Sequence, residues 1–140
     1  MGSESWFGEW QAAIHAHRER MQRAAGINSV QLICHQDTWR ALDWLWEIPL
    51  LLDRHPARVP DNRIKELGNG SVEVTLSGPS LVTLLKLTHR PRVGPDRRAL
   101  VKRTYQQLAK VIDVVDPEAS PGRPIPPIML DDKLRETPTS

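Results

Sequence analysis

The chain has 140 residues, 39% of them hydrophobic and 26% charged, with a formal net charge of only +2. That length suits one domain with a genuine core, and the balance excludes a polycation. The single cysteine, Cys34, excludes an intramolecular disulfide and any multi-cysteine metal knuckle.

The first predicted element is a helix. Trp6, Trp10, Ala13, Ile14, His17, Met21, Ala24 and Ala25 recur at three- and four-residue steps and make one apolar stripe, with Ser3 or Ser5 as cap and Gly26 as stop. His15 and His17 lie two apart, so on a helix they diverge and cannot grip one metal. His17 sits in the apolar stripe and reads as a buried, hydrogen-bonded histidine. Large aromatics at a chain end are favoured interface anchors, which makes Trp6, Phe7 and Trp10 candidate interface residues.

"SVQLICH", Ser29 to His35, reads as a strand buried on both faces. Cys34 and His35 are a nucleophile and a base in principle, but neighbours on a strand point to opposite faces. Asp37 is placed to cap a second helix, "TWRALDWLWEIPLLL", with Pro49 ending or kinking it. Its few polar residues, Arg40, Asp43 and Glu47, share one wedge, where Arg40 balances the two carboxylates. The run Trp44 to Leu52 contains Glu47 and Pro49 and is far too short to span a bilayer, so no membrane partner is expected. No leader of signal-peptide type opens the sequence, and with its lone cysteine a cytoplasmic protein is expected.

After a loop over Asp53 to Asp61, Asn69-Gly70 marks a hairpin turn. Val72, Val74 and Leu76 alternate with polar residues on the following strand, and Arg63 to Leu67 pairs with it. Pro79 suits the first turn of a helix over "PSLVTLLKLTH", although a strand is an open alternative there. The last helix runs from about Pro95 to Val115, with Val101, Tyr105, Leu108, Ile112 and Val115 as its apolar seam.

From Lys86 to Lys110 there are eight Lys/Arg against one acid, Asp96. Arg98 and Lys102 fall on one flank of the last helix, Arg103 and Lys110 on its back, and Arg97 near the seam. Charges that surround a helix suit solvation better than docking in a groove. The credible nucleic-acid reading is phosphate contact by the loop and the helix start, through Arg90, Arg92, Arg97, Arg98 and Lys102. No tryptophan lies within this stretch to supply a stacking platform.

Beyond Asp116 come six of the twelve prolines, the composition of an extended arm. Ile125, Ile128, Met129 and Leu130 give this arm an apolar cluster, a docking element with little entropy left to lose.

The expected architecture is therefore α+β. About four helices pack on one face of a three-stranded sheet containing a β-hairpin, with residues 1–116 as the globular domain and 117–140 as the Pro-rich arm. The glycine turn lacks phosphate-loop spacing, no metal cluster or catalytic motif is present, and no cofactor is expected. The expected function is a non-enzymatic interaction or regulatory protein that self-associates through the Trp-bearing helix and the arm, or binds another protein. The alternative is a nucleic-acid-binding accessory protein.

Overall fold

A computed structural model describes residues 2–47, 57–89, 93–114 and 125–130, the first six of these by backbone alone. The fold is α+β, four helices packed with a four-stranded mixed sheet. Helix α1 spans Gly2–Ala25 and strand β1 spans Ser29–His35. Helix α2, Gln36–Asp43, follows directly. Strands β2, Ile64–Glu66, and β3, Ser71–Ser77, form the hairpin. Helices α3, Gly78–His89, and α4, Pro95–Ile112, come next, and β4, Ile128–Met129, closes the order.

The sheet order is β2-β3-β1-β4. β1 and β3 pair antiparallel along their whole length, from Ser29 opposite Ser77 to His35 opposite Ser71. Val30, Leu32 and Cys34 of β1 meet Leu76, Val74 and Val72 of β3 on the buried face. Gln31, Ile33 and His35 on the other face are only half-buried, so the expectation of burial on both faces of β1 is corrected. Apolar content misled here, because Ile33 is apolar yet stands on the less covered face.

The hairpin turn also differs in detail. Its left-handed residues are Gly68 (φ 88°) and Gly70 (φ 85°), not Asn69. Asn69 instead accepts the Ser71 N–H through Oδ1 at 3.1 Å, the local side-chain bond that favours Asn in turns. At α2, His35 takes the capping role expected of Asp37: its Nδ1 accepts the Asp37 N–H at 3.1 Å. The helix then tightens into a 3-10 turn over Trp44–Glu47. The expected continuation to Leu52 lies outside the described residues.

The ambiguous 78–89 segment is a helix. Ser77 Oγ accepts the Ser80 N–H at 3.2 Å at its start. Buried hydroxyls of Thr83, Thr88 and Thr104 return to the carbonyls of Pro79, Leu84 and Leu100, so polar side chains inside the helices are satisfied locally. Gly78 lets α3 start against the end of α1: a Cβ there would lie 2.6 Å from the Ile27 carbonyl oxygen. α4 ends at Ile112 with Val101, Leu108 and Ile112 buried, and Val115 lies outside the described residues.

The fourth strand corrects the three-stranded expectation. β4 pairs parallel with β1, placing Leu32 opposite Ile128 and Ile33 opposite Met129, and the Leu130 N–H donates to the Ile33 carbonyl at 3.1 Å. Ile128 (1% exposed) and Leu130 (3%) are core residues, and Ile125 packs against the same core. β1 would otherwise carry an open edge beside apolar side chains, and a strand with alternating apolar residues satisfies both needs.

Candidate interaction surfaces

The apolar stripe of α1 divides in two. Its C-terminal half is docked: Ala24 is buried, Met21 packs on the core, and Gly78 brings α3 within backbone contact. The stretch before it is presented instead, as far as its side chains are described. Gly8 to Ala13 are all exposed, and Trp10 keeps 47% of its surface accessible. Trp6 and Phe7 lie in the opening turns of the same helix, where only the backbone is described.

A polar junction marks where α1 leaves the domain. His17 of α1 and His89 at the end of α3 stack face to face, with ring centroids 3.7 Å apart and planes 10° from parallel. Tyr105 of α4 joins them, its hydroxyl 2.7 Å from His17 Nδ1. Arg20 sends a fork to Asp113, Nε to Oδ1 at 2.9 Å and NH2 to Oδ2 at 3.0 Å, and NH1 reaches the Tyr105 hydroxyl at 3.4 Å. Which of the Tyr105 hydroxyl and His17 Nδ1 donates follows from the imidazole tautomer. The Asp113 hydrogen bonds raise the Arg20 pKa further above its already high ordinary value, so the guanidinium stays charged. Arg23 donates to the Asp113 carbonyl at 2.9 Å. The sequence placed His17 in a hydrogen-bonded interior, and it is half-buried and bonded to Tyr105. His15 points elsewhere and meets Glu19 at 3.1 Å.

The basic segment meets an unexpected neighbour. The Arg97 guanidinium lies 4.3 Å from the centroid of the Trp44 ring, and Trp44 is 41% exposed. Arg98 and Lys102 are exposed and make no ion pair among the described residues. Arg90 and Arg92 lie outside those residues. Trp44 was missed because nothing local links the end of α2 to the start of α4, 53 positions apart by subtraction of the residue numbers.

The carboxylates beside Trp44 are balanced from an unforeseen place. Arg58, on the loop before β2, donates to Asp43 at 3.2 and 3.0 Å and to Glu47 at 3.1 Å. Hydrogen bonding to Asp43, then to Glu47, raises the Arg58 pKa above its ordinary value. Arg40, assigned that role from the sequence, instead lies 3.7 Å from Asp37.

The chain has no match among protein-family models, curated proteins or solved structures.

Cys34 and His35 do diverge: the thiol is buried in the core, whereas the imidazole caps α2 on the other face. Gly70 sits against that ring, where a Cβ would lie 3.1 Å from Nε2. Among the described residues no three histidine, cysteine or acidic side chains are grouped to hold a metal ion. No helix among them is long and apolar enough to cross a membrane. Of the expected interface residues, the structure therefore separates Trp10, which is presented, from Ile128 and Leu130, which the chain's own sheet buries.

Proposed function

We propose that the chain is a non-enzymatic, cytoplasmic interaction protein that self-associates through α1. The exposed residues Gly8 to Ala13 of α1, Trp10 among them, carry this reading. A stretch of amphipathic helix that does not dock on its own domain leaves apolar surface, here Trp10, that a second copy can cover. The arm participates only by exchange, β4 of one copy adding to β1 of another, because its anchors are core residues. Sedimentation across a concentration series tests the proposal: Trp10→Glu lowers the mass to that of a monomer, whereas an unchanged mass overturns it.

A second reading rests on the contact of Arg97 with Trp44, which places an aromatic ring beside exposed Arg98 and Lys102. On that reading the protein binds nucleic acid through its phosphates. Titration with a short duplex at two salt concentrations discriminates. Steeply salt-dependent binding, abolished by Arg97→Glu with Arg98→Glu at unchanged mass, favours nucleic acid.

A further inference from the structure

We infer that the outer edge of β1 is a strand-addition groove for an extended segment of another protein, and that the arm is its resident, displaceable strap. The inference goes beyond self-association through α1 and does not depend on it. The segment that fits carries two apolar side chains two positions apart, with a backbone N–H two places before the first of them.

The resident segment shows what the groove holds. Ile128 and Leu130 are 1% and 3% exposed, and Met129 between them is half-buried. Their side chains join the core, and α4 packs along the same segment. That alternation is a strand's, so recognition rests on two buried apolar positions and on backbone bonds to the edge.

The ladder shows how little of the edge the arm uses. β1 has seven residues, and β4 pairs with Leu32 and Ile33 alone. The Ile33 carbonyl accepts the Leu130 N–H at 3.1 Å, so Ile33 turns its backbone groups toward the arm. Residues two apart along a strand repeat that direction, so Gln31 and Ser29 present theirs on the same side. On the arm, the N–H groups that face β1 belong in turn to Leu130, Ile128 and position 126. The N–H at 126 is the one a parallel ladder aims at the Ser29 carbonyl, and Pro126 has none. Pro127 follows, and both rings hold φ near −65°, away from the strand value near −120°. The resident ladder therefore stops at Ile128. Ser29, Pro126 and Pro127 are all exposed, so the unused part of the edge lies at the surface.

This stop decides the occupant. A second copy brings the same prolines and makes no ladder bond that the resident arm lacks. A foreign segment with an ordinary residue at that place adds one. It works against the tether, which holds the arm at an effective concentration on the order of millimolar.

The test uses the isotope-labelled full chain and synthetic peptides that span residues 122–133. One peptide has the arm's own sequence and a second carries Pro126→Thr. Two more take the second sequence and add an N-methyl group, at the amide of Leu130 or at that of Met129. Binding is followed through the protein's amide resonances. The Pro126→Thr peptide binds about fivefold more tightly than the arm's own sequence, the effect of one added hydrogen bond. It shifts Ser29, Gln31 and Ile33 and releases the protein's own Leu130. Methylation at Leu130, the donor to Ile33, abolishes binding, whereas methylation at Met129, whose N–H faces away from β1, leaves it intact.

No binding of the Pro126→Thr peptide at several millimolar overturns the groove. So does an equal loss from either methylation, or a set of shifts that falls on α1 instead of β1. Equal affinity of the first two peptides also overturns it, and returns the edge to the arm alone. Repeating the titration with the Trp10→Glu chain separates this inference from self-association. Peptide binding is unchanged there whatever the mass of that chain, and its loss would overturn the inference.

Discussion

The two ends of the chain carry the same kind of apolar side chain and meet opposite fates. The arm puts Ile128 and Leu130 into the core beside β1, while the first half of α1 leaves Trp10 with nearly half its surface exposed. The difference lies in what each segment is offered. β1 has an edge whose backbone needs a partner, and an extended segment with apolar residues two apart supplies hydrogen bonds and side chains together. A helix satisfies its own backbone, so the front of α1 gains from docking only its side-chain burial. Apolar content alone therefore does not say whether a segment is core or surface; the unmet needs of its neighbours decide.

The largest effect that would break this contrast is at the arm. Ile128→Ala costs about 2–5 kcal/mol in chemical denaturation, the loss expected of a filled core position. A cost near zero would return the arm to the surface. Next comes the docked half of α1. Gly78→Ala costs about 1–3 kcal/mol, because a Cβ meets the Ile27 carbonyl oxygen at 2.6 Å and backbone must shift. The smallest effect belongs to the presented half. Trp10→Ser changes monomer stability by no more than about 1 kcal/mol. A larger loss would show that Trp10 already supports its own domain, and the proposed docking face would go with it.

Much of the fold was legible because its signals are local. Strand β1 begins at Ser29 and ends at His35, as read from an apolar run between turn residues. The hairpin was legible from Asn69-Gly70, though not its exact turn, and from the alternation of Val72, Val74 and Leu76, and α4 from a seam stepping by threes and fours. The misses share a cause too. β4, the Arg97–Trp44 contact and the Arg58 fork to Asp43 and Glu47 all join segments that only the finished fold brings together. His35 in place of Asp37 as the α2 cap is a smaller matter: imidazole Nδ1 can accept as a carboxylate does, but composition rules favour the acid. At the junction His17 was legible as an interior residue, whereas its stacking partner at the end of α3 was not.

The pairing of Leu32 with Ile128 has a consequence in time as well as in space. The β1–β3 ladder closes a loop of modest length, whereas β4 must return across nearly the whole domain to reach β1. Long closures of this kind come late, after the entropy of the intervening chain has been reduced by other contacts. Each molecule therefore passes through a stage in which β1 has a partner on one side and an open edge on the other. During that stage the β4 segment of any neighbouring copy competes for the vacant place. The outcome depends on how crowded the chains are while they fold, so dilution during refolding favours closed single chains and concentration favours shared ones.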